Sequence, residues 1–516
     1  MMKNKKIERL FGVLVTLLIL FVVIVILVLL RQFLVREKHA ETVTIAIMQE
    51  DRVQDFNTNY YKIWLEEQSG YQIKFVYIQS GYYKEYIRAL LEAREGTIDA
   101  IFLPANMKII TEEEFETYGK AGYFANILDY IDSDSNLNAL FDSYQDVRLK
   151  DKMTEPDGEI YYMPNMNTSR QARNFQVLWI NFSWLKKLGL TIPKSTEEFH
   201  DVLKAFRELD ANKNGKQDEI PLISCEEEYA LQSYNYLLNA FVPNDPVRGR
   251  LFLNSAGTIV DAFHQDAFRE GLTYCHTLYG EGLFAKEGFT FSKKQVQELV
   301  NDPANLVGAF TSQSIADIVY ANSPDVLTRY IQVPPLAGPT GEKHAIMLEP
   351  EPCFGGMIPI NSSHKKEACA IMDLMLSKEA SLIAEFGEEG VDWKFSKQSD
   401  LSTYGTKAKI TTIHYLKDKV QNQNFMGAGP HVINERYING VTWNGNSSNV
   451  EYIDSRAIMR YEPDYLARYP DSGTVLQENL ASKSDKIIPM FIKGELDILD
   501  DTAWNVVQEA SKKGKQ

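Results

Sequence analysis

Cysteine, histidine and basic charge are all scarce in this chain. Its 516 residues include four Cys and eight His, and 70 acidic side chains against 54 basic ones give a formal net charge of −16. Cys225, Cys275, Cys353 and Cys369 are scattered, with no C-x-x-C pair and no metal spacing, so two disulfides and small buried thiols both stay open. The His residues form no pair at ligand spacing, and neither H-E-x-x-H, G-x-S-x-G nor a phosphate loop ending G-K-[ST] occurs. The expectation is a protein that is not an enzyme. A nucleic-acid partner is excluded too, since it would need a basic patch to neutralise phosphates. The acid excess also opposes adsorption of the folded part to an anionic membrane. Internal repeats and a long low-complexity linker are lacking. A chain of this length without a linker reads as two lobes that exchange strands.

What is present begins at the N-terminus. Phe11 to Leu30 is an apolar run interrupted only by Gly12 and Thr16. About 20 such residues, each rising about 1.5 Å, match the hydrocarbon thickness of a bilayer. The run exceeds the h-region of a cleaved signal peptide, and no A-x-A-like site closes it. Lys3, Lys5, Lys6 and Arg9 precede it. These predict a cytoplasmic tail over 1–10, a transmembrane anchor over 11–30 and an extracellular remainder.

Beyond the anchor, Thr42 to Met48 alternates as a strand, with Val43, Ile45 and Ile47 on one face. A helix over Asn57 to Ser69 closed by Gly70, a strand over Tyr71 to Ile78, a helix over Gly81 to Glu95 and a strand over Ile98 to Leu103 follow. This alternation predicts βαβ units and a parallel sheet. Ser195 with Glu198 forms an S-x-x-E capping box. Phe199, Val202, Leu203, Phe206 and Leu209 then make a core stripe. Lys365 to Phe386 reads as one long helix, and a helix over Thr474 to Lys493 should break at Pro489.

Two features carry chemistry. Asp210, Asn212, Asn214 and Asp218 occupy positions 1, 3, 5 and 9 of a loop with Gly215 at position 6. That is the first part of an EF-hand-type calcium loop, with Lys216 offering its backbone carbonyl. Pro221 replaces the bidentate Glu of position 12, so Glu219 must supply that carboxylate. A single structural Ca2+ is expected. The second feature is the aromatic content of 27 Tyr, 26 Phe and 6 Trp. Aromatic rings with a polar handle suit the flat C–H faces and hydroxyl rims of sugars. Trp393 and Trp443 sit in polar, glycine-bearing loops, either as lobe-surface anchors or as ligand platforms.

Several segments together resemble the extracellular solute-binding proteins of carbohydrate ABC importers, in particular the calcium-loop branch that includes binders of alginate-like oligosaccharides. They include Asn57 to Gly70, Ile98 to Ile101, Trp179 to Pro193, the loop Asp210 to Pro221, Phe386 to Trp393, and Met490 to Leu496 followed by Trp504. The resemblance implies an α/β, two-lobe periplasmic-binding-protein-like clamp (type II) behind the N-terminal transmembrane helix. Lobe one is expected over 42–160 and 350–395, and lobe two over 165–345 and 400–516 with the calcium loop at 210–219. The implied metal ligands are Asp210, Asn212, Asn214, Lys216 (carbonyl), Asp218 and Glu219. The expected function is extracellular capture of an oligosaccharide and delivery to importer permease subunits. The alternative is a membrane-tethered sugar sensor or scaffold on the same fold. The sugar is expected on Trp393, Trp443 and Tyr60, with Glu389 and Arg436 as hydrogen-bonding partners. A uronate would want a bidentate Arg, for which Arg170 and Arg173 are further candidates. Two departures from the family pattern stand out: no lipid-anchoring Cys lies near Leu30, and Asn181 stands where many members carry a charge.

Overall fold

The structure, a computed structural model, describes residues 41–93, 96–104, 110–168, 173, 175–320, 323–346, 348, 350–398, 400, 407–414, 416, 420–425, 427–433, 441–443 and 481–513. The expected tail and anchor over 1–30 lie outside these residues. Among the described residues no helix is long and apolar enough to cross a membrane.

The chain divides into two compact units. Unit 1 comprises 1–167, 350–394 and 412–433, and unit 2 comprises 168–349, 395–411 and 434–516. The sequence reading had assigned all of 400–516 to lobe two, but residues 412–433 belong to unit 1. The cause is pairing: strand His431–Ile433 runs parallel to Tyr162–Asn167 in the unit 1 sheet. In addition, the Gln421 backbone N–H donates to the Arg52 carbonyl.

Unit 1 is built on a six-stranded mixed sheet in the order His431–Ile433, Tyr162–Asn167, Cys353–Met357, Ala100–Phe102, Thr42–Met48, Gln72–Ile78. Thr42–Met48 pairs parallel with both Gln72–Ile78 and Ala100–Phe102, the product of two successive βαβ units. Val43, Ile45 and Ile47 are fully buried, and so is Ala46 on the opposite face. A strand covered on both faces needs this apolar run. The first helix spans Tyr60–Ser69 instead of starting at Asn57. Asn59 caps it by accepting from the backbone N–H groups of Tyr61 and Lys62, and Gly70 closes it in the left-handed region at φ 77°.

Unit 2 has a four-stranded sheet ordered Tyr330–Val333, Val177–Asn181, Val307–Ser312, Ile220–Leu222. Helix Thr196–Glu208 packs Phe199, Val202, Leu203 and Phe206 into its core. Leu209, the last member of that stripe in the sequence reading, is 51% exposed because the helix has ended. Ser195 accepts from the Glu198 N–H at 3.1 Å as expected of a cap. The Glu198 carboxylate bonds the Lys194 N–H and not that of Ser195, while the Lys194 carbonyl and the Thr196 N–H pair with Ala337.

The expected single helix over Lys365–Phe386 is two, Lys365–Met375 and Lys378–Phe386. Ser377 accepts from the Ala380 N–H and starts the second. Pro489 lies within a continuous helix, Ala481–Lys493, and does not break it. All four cysteines are free thiols, with Cys225, Cys275 and Cys369 buried. Burial pushes the Cys369 thiol up to about 12.

Candidate functional site

Unit 1 carries two of the expected ligand contacts, Glu389 and Tyr60, and the turn that holds Glu389 is tightly bonded. Gly387, at φ 85°, ends helix Lys378–Phe386, and a Cβ there would meet the Asp392 carboxylate at 2.6 Å. That carboxylate is buried. It accepts from the Glu388 backbone N–H at 3.0 Å and contacts His414 Nδ1 at 3.2 Å. Gly390 donates its N–H to the Trp393 carbonyl at 2.7 Å, which tightens the turn further. Glu389, at the tip of this turn, is exposed.

Trp393 itself is only 2% exposed. Its indole N–H donates to the Gly387 carbonyl at 2.9 Å, and its ring lies tilted against Phe386. The expectation of a stacking platform at Trp393 is corrected accordingly: a ring with its faces covered packs the turn and cannot also stack on a sugar.

Tyr60 stands at the start of helix Tyr60–Ser69, half-buried. Burial and the nearby charges of Glu388, Glu67, Glu389 and Asp392 raise its phenol pKa, so the hydroxyl stays protonated as a hydrogen-bond donor. The charge of Glu389 is thus among those that act on the Tyr60 phenol. The approach to Tyr60 is fixed by polar residues that sequence reasoning missed. Asp55 accepts from the Asn57 N–H at 2.9 Å and from the Thr58 hydroxyl at 3.1 Å. Asn422 donates to the Thr58 carbonyl at 2.9 Å, and the Tyr60 N–H reaches the Asn422 carbonyl. The D-x-N-T-N pattern over Asp55–Asn59 was the available signal, because short polar side chains bond their own backbone in turns. Asn422 lies more than 360 residues away in sequence, and no local pattern finds it.

Trp443 closes a three-residue strand, Val441–Trp443, and its side chain lies outside the described residues, as do Arg436 and Arg170. Arg173 donates its Nε to the Leu348 carbonyl at 3.2 Å. Asn181 has a structural role: buried, it caps helix Phe182–Leu188 and donates to Asn305 and to the Val307 carbonyl.

In unit 2 the loop Asp210–Glu219 is curled around its own oxygens. Asp210 accepts from the backbone N–H groups of Asn214 and Gly215, both at 3.0 Å. Asn212 accepts from the Asn214 N–H at 3.0 Å, and Asn214 accepts from the Lys216 N–H at 2.8 Å. Gly215, at φ 77°, makes the sharp turn. Asp218 accepts from the side-chain amides of Asn212 and Asn214, which lower its pKa. Among the described residues no group of three His, Cys, Asp or Glu is gathered tightly enough to hold a metal by itself. The fit to a hard cation rests on a different observation. Glu219 Oε1 accepts from the Asn212 N–H, while Glu219 Oε2 is buried with no hydrogen-bond partner. An orphaned carboxylate oxygen beside amide and carbonyl oxygens is the donor chemistry calcium takes. Glu219 also lines a cleft of about 600 Å³ with Lys204, Arg207, Glu208 and Glu281. Among the described residues no aromatic side chain lines that cleft.

A mixed sheet of parallel βαβ origin in one unit, with a second α/β unit interleaved in sequence, defines the class: a periplasmic-binding-protein-like α/β fold. The chain belongs to the bacterial extracellular solute-binding protein family, whose model matches residues 48–381. The fructooligosaccharide ABC transporter substrate-binding protein FusA of Streptococcus pneumoniae is 29% identical over 288 residues, 54% of this chain and 50% of FusA. In sequence, this chain therefore spans about half the length of that relative. Among solved structures, an extracellular solute-binding protein from Bifidobacterium longum subsp. infantis superposes with a TM-score of 0.68. It is 19% identical, over 92% of this chain and 95% of that one. An EF-hand mutant of S. pneumoniae FusA in complex with fructo-nystose superposes with a TM-score of 0.64 at 21% identity, over 92% and 96%. At these identities the likeness shows the fold.

Proposed function

We propose that this protein captures an oligosaccharide outside the cell and delivers it, unaltered, to the permease subunits of an ABC importer. Membership of the solute-binding family over 48–381 carries this reading. FusA, a substrate-binding protein for fructooligosaccharides, supports the ligand class. Tyr60 and Glu389 of unit 1 are proposed as ligand contacts, with Trp443 and Arg436 as further ones. A structural Ca2+ in the loop Asp210–Glu219 stabilises unit 2 through Asp210, Asn212, Asn214, the Lys216 carbonyl, Asp218 and Glu219. A FusA variant described as an EF-hand mutant supports a comparable loop in that relative.

Residues 11–30 anchor the protein as a single membrane-spanning helix with the folded part outside. Deleting residues 1–40 should move the protein from the membrane fraction to the soluble fraction, and retention on the membrane overturns the anchor. The capture reading itself is tested by isothermal titration of residues 41–516 against kestose, cellotetraose and tetragalacturonate. Saturable binding of one of them with the sugar recovered intact is expected. Failure to bind any, or release of fragments, overturns the reading.

A further inference from the structure

Strand Gln72–Ile78 ends the order of the unit 1 sheet and pairs parallel with Thr42–Met48. Its alternation holds through the first half: Ile73 and Phe75 are buried, while Gln72 and Lys74 are exposed. Tyr77 shares the parity of Ile73 and Phe75, yet it is 39% exposed. The side chains that cover Phe75 explain where the cover stops. Phe56 and Phe425 stand at 5.8 and 5.7 Å from the Phe75 ring. Tyr77 meets Phe56 at 5.2 Å, tilted by 40°, and Phe75 at 6.3 Å. The aromatic cluster of the core therefore continues outward to Tyr77, whose remaining surface is open.

That opening lies at the carboxyl end of parallel strands, where α/β sheets present their ligand crevices. The ring is also fixed in place. The Tyr77 hydroxyl donates to Asn57 Oδ1 at 3.3 Å. Asn57 in turn belongs to the turn that Asp55 and Asn422 hold, the same turn that leads into Tyr60. A large ring on the inward parity of a strand, left open and tied down, loses little conformational freedom when something stacks on it. Its hydroxyl oxygen keeps lone pairs for a hydroxyl donor. An exposed methyl-bearing side chain would cover the same apolar neighbours without offering a flat face.

We infer that Tyr77 is a stacking platform for a sugar ring of the captured oligosaccharide, with Asn57 as the residue that sets the ring's orientation. This assignment rests on the capture function proposed above and adds to unit 1 a contact joined to Tyr60 through the Asn57 turn. The chemistry it selects is a pyranose or furanose with an unsubstituted C–H face, since a face crowded by charge would find no partner on the phenol ring.

The test uses the full-length protein in detergent, titrated with kestose, cellotetraose and tetragalacturonate, in wild type, Tyr77→Phe and Tyr77→Leu. Tyr77→Leu keeps apolar bulk against Phe56 and removes the flat face. It should weaken the bound sugar roughly 5- to 100-fold, the scale of losing one stacking platform. Tyr77→Phe should stay within about fivefold of wild type, the cost of one neutral hydrogen bond. In wild type, hydroxyl-radical footprinting should show Tyr77 oxidation falling when the bound sugar is added, a readout that needs no folded variant. Unchanged affinity in Tyr77→Leu, or unchanged Tyr77 oxidation at saturation, overturns the platform while the capture function stands. Wild type that binds none of the three sugars overturns both.

Discussion

The indole N–H of Trp393 donates to the carbonyl of Gly387 across the turn that carries Glu389, and the bond is wholly buried. Trp393→Ala removes that donor and leaves a cavity beside Phe386, so it should cost about 3–5 kcal/mol of unfolding free energy. Trp393→Phe retains most of the packing but leaves the Gly387 carbonyl without its partner, for about 1–3 kcal/mol. Urea unfolding followed by circular dichroism gives both numbers. An alanine variant within about 0.5 kcal/mol of wild type would return Trp393 to the list of exposed ligand contacts.

The elements that came directly from the sequence are those whose signal is local. Thr42–Met48 was recognisable from Val43, Ile45 and Ile47, and helix Thr196–Glu208 from its apolar stripe behind Ser195. Errors arose where a distant partner decides. Ala337 pairs with the Lys194 carbonyl and the Thr196 N–H on either side of Ser195, and residues 412–433 join unit 1 because His431–Ile433 pairs with Tyr162–Asn167. The site shows the same division. The curl of the Asp210–Glu219 loop could be read from spacing, since the residues that bond one another lie within ten positions. Trp393 could not: glycine and polar neighbours in sequence suggested exposure, while Gly387 and Gly390 instead permit the fold-back that buries the ring.

Chelation should lower thermal stability through the calcium loop. Sites of this kind hold calcium with dissociation constants of about 10⁻⁴–10⁻³ M when extracellular. At about 1 mM calcium the linkage gives about 0.4–1.4 kcal/mol, or roughly 1–5 °C in Tm for a unit of this size. Differential scanning calorimetry with 1 mM CaCl2 and then with excess EDTA measures the difference. Glu219→Gln should reduce the EDTA effect and Asp210→Ala should remove it. Equal Tm with and without EDTA in wild type would end the assignment of the orphaned Glu219 oxygen to a metal.

Acid should weaken unit 2 through His344. Burial lowers its pKa below the usual 6.5, against smaller opposing contributions from the Asn239 carbonyl and Glu342. The carbonyl can only accept, so Nδ1, at 3.0 Å, carries the proton of the neutral ring. With the folded pKa depressed, both states are neutral above about pH 6.5 and the full stability is present. Below that, the unfolded chain takes up a proton first, and stability is lost as pH falls toward the folded value. One group supplies at most about 1.4 kcal/mol per pH unit. Urea midpoints at pH 7.5 and 5.5 should show a loss in wild type that is smaller in His344→Gln. An identical loss in the variant assigns the acid sensitivity elsewhere.

Tyr60 and Glu389 make a prediction about charge as well as shape. Burial, and then the charges of Glu388, Glu67, Glu389 and Asp392, raise the Tyr60 phenol pKa and keep it protonated. A phenol donor beside an exposed carboxylate acceptor suits a sugar hydroxyl, which can accept from one and donate to the other. A charged acceptor makes the stronger bond of the two, about 1.5–3 kcal/mol against about 0.5–1.5 kcal/mol for a neutral one. Glu389→Gln should therefore weaken the bound oligosaccharide about 3- to 10-fold, because the amide keeps an oxygen but loses the charge. Tyr60→Phe should weaken it about 2- to 10-fold, and Tyr60→Ala further, as the ring's apolar area is lost too. Glu389→Gln and Tyr60→Phe leave the packing of the Tyr60 ring against the unit 1 core in place, so in these two variants unliganded Tm should move by no more than about 1 °C. Titration of each variant with the sugar that wild type binds gives the comparison. If both bind it as wild type does, Tyr60 and Glu389 are surface residues, and the ligand contacts of this unit lie elsewhere.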